Sequence, residues 1–171
     1  MKKLQLLFLT FLLSCSSAKV VTDYNEGTDF SKYKSFGFYE DNGENLNEFD
    51  IKRITDAIYH HLTNSAYSQS KTPGFFIYFD TKITENVSRN SIGIGVGRGG
   101  RNGGFGISGG IPIGGKKVNE QLIIKFIDAN TNLLFWEGSF SDVVKQNRKP
   151  EERKKQLEKV VLKILNEFPP K

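Results

Sequence analysis

The sequence predicts an α+β fold, a two-layer sandwich in which two helices pack on one face of a mainly antiparallel sheet. Several segments alternate apolar and polar residues, as half-buried strands do, whereas two longer segments repeat apolar residues every three or four positions, as helices do. Along the chain these patterns occur in the order strands, helix, strands, helix. The face of the sheet away from the helices is expected to be partly solvated.

Two short strands are expected near the start of the domain. The stretch from Val20 to Tyr24 contains β-branched residues, and Ser35 to Tyr39 predicts a second strand in which Phe36 and Phe38 share a face. Between these strands, residues 29–34 are typical of a turn with two aromatic anchors.

Two segments have helical periodicity. The first runs from about Glu48 to Ser65, with Asn47 as its N-cap. Its apolar stripe consists of Ile51, Ile54, Ile58 and Leu62. The second begins at Pro150 and is stopped by Pro169 and Pro170. Its apolar positions are Leu157, Val160, Val161, Ile164, Leu165 and Phe168.

The second half of the sheet is expected to contain a long strand and a hairpin. Residues from Phe75 to Thr84 alternate with the period of a half-buried strand. Two later strands flank the turn residues 128–132 and form a β-hairpin. The residues expected on one face of each hairpin strand are Leu122, Ile124 and Phe126 in the first, and Leu134, Trp136 and Phe140 in the second.

Residues 1–14 have the features of a lipoprotein signal peptide. Lys2 and Lys3 precede ten mostly apolar residues, about half of the roughly 20 needed to span a bilayer. Ser14 and Cys15 complete the pattern that lipoprotein maturation requires, in which a diacylglyceryl thioether forms on Cys15 and the signal peptidase cuts before it. Ordinary secretion, with cleavage after Ala18, is the alternative.

Lipidation also accounts for the cysteine content. Cys15 is the only cysteine, so an exported chain has no disulfide partner for it. Two or three acyl chains, such as palmitate, anchor a protein stably, and this covalent lipid is the only prosthetic group that we expect. We therefore predict a lipidated tether at residues 15–19 and a single domain at residues 20–171. Ser16 offers no inner-membrane retention signal, which favours the outer membrane of a bacterial cell envelope.

Basic residues are concentrated in two parts of the chain, between Glu85 and Glu120 and from Lys145 to Lys159, where seven basic residues stand against three acidic ones. Maturation removes two of the 24 basic residues and leaves 22 against 19 acidic ones, a net charge of +3 that is too small to indicate nucleic acid binding. All charges between Glu85 and Glu120 are nevertheless positive. We expect four of them to contact an anionic group or a partner: Arg98, Arg101, Lys116 and Lys117.

The same region holds a glycine-rich insert, residues 91–115, with twelve of the 17 glycines. Large side chains alternate with glycine in it, so the insert could fold back as a ribbon. A mobile loop is the alternative, because each glycine weakens a strand. A phosphate-binding loop is not indicated, since Lys116 and Lys117 lead into a strand rather than a helix.

The sequence contains no convincing catalytic or metal site. His60 and His61 are adjacent on a helix and point about 100° apart, so they cannot hold one metal ion. Asp80, Asp128 and Glu137 lie in or beside strands and could pair as acid and base, but Asp128 is better explained as a turn residue that accepts backbone hydrogen bonds. Glu137 is better explained as a cross-strand charge.

Four blocks of sequence carry a family resemblance. Residues 29–36 and 51–58, together with residues 122–138 around an Asp-Ala turn and a Trp-x-Gly ending, resemble the bacterial lipoproteins called domain of unknown function 4136. Phe168, Pro169 and Pro170 resemble the end of that family's domain. At Ala66 the family commonly has glycine. The resemblance implies a lipid-anchored envelope protein, and it implies no activity or catalytic residues.

These observations favour a non-catalytic envelope lipoprotein that binds another envelope component through the sheet face and the basic insert. The partner could be an envelope protein or an anionic lipid or glycan. The alternative is a hydrolase that uses carboxylates near Asp80 or Asp128. A third possibility is that the insert adds strands to a neighbouring molecule.

Overall fold

The computed structural model describes residues 19–85, 91–92, 111–112 and 117–170. Within them the chain forms one six-stranded sheet, a separate pair of short strands and two α-helices. The strands are β1 (Val21–Tyr24), β2 (Ser35–Phe38), β3 (Ser68–Gln69), β4 (Phe75–Glu85), β5 (Ser91–Ile92), β6 (Ile111–Pro112), β7 (Lys117–Asp128) and β8 (Leu134–Lys145). The helices are α1 (Glu48–Asn64) and α2 (Pro150–Leu165), and Phe30–Lys32 forms a 3-10 helix.

The six-stranded sheet has the order β1-β8-β7-β4-β2-β3. Its central pairs, β4 with β7 and β7 with β8, are antiparallel and each extends over eleven register positions. Strand β2 runs parallel to both β3 and β4. The sheet is therefore mainly antiparallel, and the predicted α+β class is confirmed.

Both helices cover one face of the sheet and enclose the hydrophobic core. The predicted stripe of α1 is buried at Ile54, Ile58 and Leu62, and Ile51 packs at its margin. An aromatic cluster fills the space beneath α2, where the Phe168 ring meets the rings of Phe126 and Trp136 edge-on. No helix among the described residues is both long enough and apolar enough to cross a bilayer.

A β-bulge changes which residues of β8 face the core. The register between β7 and β8 shifts at Phe126 and Ile127, so Trp136 pairs with Phe126 whereas Leu134 pairs with Ile127. Phe135 lies between them and is buried together with Trp136, whereas Leu134 is 47% exposed. The prediction that Leu134 shares a buried face with Trp136 and Phe140 is therefore wrong.

The opposite face of the sheet is partly solvated. Phe76, Tyr78 and Lys125, which alternate with buried neighbours, are only half-buried. Glu137, predicted to be a cross-strand charge, forms an ion pair with Lys125 on β7, with 3.4 Å between Nζ and Oε2. Two short strands of the glycine-rich insert, β5 and β6, lie within the described residues. They pair antiparallel, as a folded-back ribbon requires. Residues 93–110 and 113–116 lie outside the described ranges.

Candidate functional site

A cleft of about 420 Å³ opens at one end of the sheet. At this end β4 finishes, β7 starts and both helices begin, and these four elements form its walls together with the loops before α1 and after β8. Because β4 ends at Glu85 and β7 starts at Lys117, the chain that carries the glycine-rich insert leaves and returns here. Glu85 and Lys117, the described residues that flank the insert on β4 and β7, thus lie at the same end of the sheet as the cleft.

Arg153 is the central side chain of the cleft wall. Its Nε atom donates a hydrogen bond to Asp50 Oδ2 at 2.8 Å, and its Nη1 atom donates to Glu120 Oε2 and to Gln156 Oε1. Asp50 lies in the first turn of α1 and Glu120 lies on β7. A single buried guanidinium group therefore ties both helices to the sheet.

Two further arginines complete the network at the mouth of the cleft. Arg148 Nη1 donates to Glu120 Oε2 at 3.1 Å and to Gln156 Oε1 at 2.6 Å. Arg53 Nη1 donates to Asp50 Oδ1 at 2.6 Å. Three arginines thus face two carboxylates, which leaves a net positive charge on the network.

The two carboxylates of the network stay ionised at neutral pH. Burial opposes their ionisation, but hydrogen bonds and charges from Arg153 and Arg148 outweigh it and hold the pKa of Glu120 below its ordinary value. Arg153 and Arg53 lower the pKa of Asp50 against burial in the same way. Neither group is suited to donate or accept a proton at neutral pH.

Apolar side chains stand at the rim of the cleft. Phe49 is 75% exposed and Ile83 is 59% exposed, although both residue types usually pack inward. Phe49 precedes Asp50 in the first turn of α1, and Ile83 pairs with Glu120 across β4 and β7. The cleft therefore combines an arginine-rich wall with an apolar edge.

Asp80 and Asp128 do not form a catalytic pair. Asp128 is opposite Phe75 in the sheet, five positions from Asp80, which corresponds to roughly 17 Å along the strands. The two side chains also lie on opposite faces, since Asp128 shares the core-facing side with Phe75 and Asp80 does not. Asn45 donates hydrogen bonds to Asp80 from its amide side chain and its backbone.

Asp128 instead closes the β-hairpin turn and fixes it to the start of the domain. Its Oδ1 atom accepts hydrogen bonds from the backbone N–H groups of Asn130 and Thr131. Its Oδ2 atom accepts one from the Tyr33 hydroxyl at 2.7 Å and one from Lys32 Nζ at 3.1 Å. These bonds, led by that from Thr131, hold the pKa of Asp128 well below its ordinary value. The interpretation of Asp128 as a turn residue is confirmed.

The histidines occupy the positions that the helical pattern predicts. His61 is half-buried and His60 is exposed. Burial lowers the pKa of His61. Within the described residues, no three His, Cys, Asp or Glu side chains gather where they could hold a metal ion.

Of the residues predicted to contact a partner, Lys117 is exposed at the start of β7. Arg98, Arg101 and Lys116 lie outside the described ranges, and so does the predicted lipidation site Cys15.

Sequence patterns alone did not reveal the arginine network, although a signal for it exists. Arg153 lies four positions before Leu157 and so occupies the buried stripe of α2. Glu120 alternates in phase with the buried residues Leu122 and Ile124. A charged residue at a buried position of an otherwise apolar pattern indicates a buried ion pair. The residue that pairs with it is evident only from the tertiary structure.

Known structures share this fold at low sequence identity. The chain is similar to a PDZ domain protein from Parabacteroides distasonis, with a TM-score of 0.57 and 17% identity over 90% of this chain. It spans 36% of that protein's length. It is also similar to a PelC variant dodecamer from Paraburkholderia phytofirmans, with a TM-score of 0.50 and 5% identity over 85% of this chain and 94% of that one.

No curated protein matches the chain. A family model does match, over residues 20–170, which is almost the whole predicted domain. The chain therefore belongs to the family described as Domain of unknown function (DUF4136).

Proposed function

We propose that this protein is a lipoprotein of the bacterial cell envelope that acts as a non-catalytic binding module. The lipid on Cys15 anchors it to the outer membrane, and the cleft at the insert end of the sheet binds another envelope component. The leader sequence and the single cysteine support the anchor. The family match over residues 20–170 supports a single domain beside it.

One observation carries the binding role: the cleft combines charges that are fixed in position with an apolar edge. Asp50 and Glu120 are held ionised by arginines, so the wall is organised for recognition rather than for proton transfer. Clefts of 300–1,000 Å³ with a few oriented polar groups are typical ligand sites, and this one has about 420 Å³.

Mass spectrometry of the mature protein tests the anchor. The full chain produced in bacteria should begin at Cys15, carry the mass of two or three acyl chains and sediment with outer membranes. The Cys15→Ala variant should carry no acyl mass and should not be processed at that position. A mature chain that begins at Lys19 without acyl mass would show ordinary secretion and disprove the anchor.

Cross-linking in intact envelopes tests the binding role. A photoreactive residue replaces Phe49 at the cleft rim, and in a matched control it replaces Leu133, which is 65% exposed on the hairpin turn at the far end of the sheet. We expect a defined product from position 49 only, and a weaker yield when Arg98, Arg101, Lys116 and Lys117 are changed to glutamine. The binding role is wrong if position 49 gives no more product than position 133.

Self-association is a second candidate function. Strand β1 lies at an edge of the sheet, and all four of its residues are exposed. Such an edge can pair with a neighbouring strand. The similar PelC chain is described as a dodecamer. Light scattering of the acylated protein in detergent would detect an oligomer, and a monomer at all concentrations would exclude this candidate.

A further inference from the structure

The arginines at the mouth of the cleft have unused hydrogen-bond donors. Each guanidinium group carries five N–H bonds. Arg148 and Arg53 bond to the protein through Nη1 alone, and no acceptor among the described residues contacts their Nε or Nη2 atoms. Their side chains are 14% and 23% exposed, so both groups can be reached from the cleft. Paired N–H groups of this kind match a carboxylate or phosphate.

The arginine network and the helix ends place positive charge on the cleft wall. The network has one more arginine than carboxylates, and the N-termini of both helices add partial positive charge, which Glu48, Glu151 and Glu152 in their first turns partly offset. Lys149, the N-cap residue of α2, provides no side-chain hydrogen bond to the first turn. Backbone N–H groups at such a helix end are suited to a negatively charged ligand.

The buried carboxylate of Glu120 calls for a ligand that can donate a hydrogen bond. Its side chain is only 3% exposed, and its Oε1 atom has no hydrogen-bond partner among the described residues. An ionised buried oxygen without a donor is costly. A ligand that satisfies both Glu120 and the arginines needs hydroxyl groups as well as a negative charge, and the Glu120 side chain, which lines the cleft, must shift slightly to expose Oε1 to it. Ionised simple carboxylates carry no such donor, whereas inorganic phosphate at neutral pH still carries P–OH groups and is therefore a competitor that a binding test must include.

Phe49 indicates the shape of the ligand. Its ring is 75% exposed at the rim, only one residue from the network residue Asp50. An exposed aromatic ring beside fixed polar groups provides a flat apolar surface for a ligand that has both an apolar face and polar edges. The C–H face of a pyranose ring has this character.

We propose that the cleft binds an acidic saccharide. The carboxylate of a uronic acid unit pairs with Arg148 and Arg53, a ring hydroxyl donates a hydrogen bond to Glu120, and the ring lies against Phe49. This inference rests on the proposed binding role and names its ligand class.

Calorimetric titration of the full acylated chain in detergent tests this inference. The probe is trigalacturonate, and maltotriose is the neutral control of equal length. Inorganic phosphate and vesicles of phosphatidylglycerol distinguish a saccharide from a phosphate group or a lipid headgroup. We expect trigalacturonate to bind at least tenfold more tightly than the other three. Equal binding of maltotriose, phosphate or the vesicles would overturn the proposal.

Two substitutions locate the binding site. Phe49→Ala removes an exposed ring and should weaken trigalacturonate binding at least tenfold without changing Tm, whereas Leu133→Ala should change neither quantity. Arg148→Gln should weaken binding to a similar extent, whereas Lys154→Gln, on the exposed side of α2, should leave it unchanged.

Unchanged affinity in Phe49→Ala would place the saccharide elsewhere and disprove the inference, whether or not Arg148→Gln folds. If trigalacturonate fails to bind while position 49 still gives a specific cross-link in envelopes, the ligand class is wrong and the binding role stands. If both experiments fail, the binding role is wrong as well.

Discussion

Arg153 on α2 and Asp50 on α1 are joined by a 2.8 Å hydrogen bond although 103 positions separate them in the chain. Both side chains are nearly buried, at 11% and 6% exposure. The same guanidinium group also binds Glu120 on β7. The network that forms the cleft wall is thus also what joins the helix N-termini to the sheet.

Loss of Arg153 should therefore destabilise the whole domain. Arg153→Ala leaves two buried carboxylates without their main partner, and removal of one member of a buried ion pair typically costs about 3–5 kcal/mol. Urea unfolding should show a loss of this size. Lys154→Ala, at the neighbouring exposed position, should change the free energy of unfolding by less than about 0.5 kcal/mol. Equal effects of the two substitutions would contradict the network's structural role.

The hairpin turn should depend on the charge of Asp128. Asp128→Asn keeps the shape of the side chain but weakens the hydrogen bonds from Tyr33 and from the turn, at an expected cost of about 1–3 kcal/mol at pH 7. Folding lowers the pKa of the Asp128 carboxyl. The stabilisation from its negative charge is therefore fully present above about pH 5, and it is lost as pH falls through the pKa of the unfolded state and then that of the folded state. The difference in stability between wild type and Asp128→Asn should therefore shrink below about pH 4.

Thermal unfolding between pH 7 and pH 3 measures this difference. Asp56→Asn, on the exposed face of α1, is the control and should stay close to wild type throughout. A difference between wild type and Asp128→Asn that grows toward acid pH would contradict a lowered pKa of Asp128 in the folded protein.

Gly138, the last residue of the Trp-x-Gly motif, is required by close packing under α2. A Cβ atom at this position would lie 2.6 Å from Ile164 Cγ2 and 2.6 Å from a ring carbon of Trp136. Both neighbours are fully buried, so Gly138→Ala should destabilise the domain by about 1–3 kcal/mol. Gly27→Ala meets its nearest atom at 3.5 Å and should be tolerated. Comparison of the two Tm values checks the prediction, and a Gly138→Ala protein as stable as wild type would refute it.

Ala66 occupies a backbone conformation that favours glycine. It follows the C-cap of α1 with a φ of 67°, and the Tyr67 N–H group donates a hydrogen bond to the Leu62 carbonyl, as in a Schellman motif. Ala66→Gly should raise stability by about 1 kcal/mol because it relieves the left-handed strain. Ala57→Gly, inside the same helix, should lower stability by a similar amount. Chemical denaturation distinguishes these outcomes, and a destabilised Ala66→Gly variant would rule out strain at this position.

Local sequence patterns were enough to place the main elements. Each helix and strand buries one side, and this produces the periodicity of α1 and α2 and the alternation along β4 and β7. Such a pattern can be recognised from consecutive residues alone. The Asp128 turn was also predictable, since its carboxylate binds backbone groups two and three residues ahead.

Only the tertiary structure decided the features that depend on distant partners. The parallel pairing of β2 with β4, the two-residue strand β3 and the bulge that buries Phe135 instead of Leu134 follow from sheet register, which no single segment specifies. The cleft also depends on distant partners. Asp50, Glu120 and Arg153 meet only when the N-termini of both helices lie beside the start of β7. The sequence by itself thus determined the elements and the family, whereas long-range packing decided which charges share a buried site.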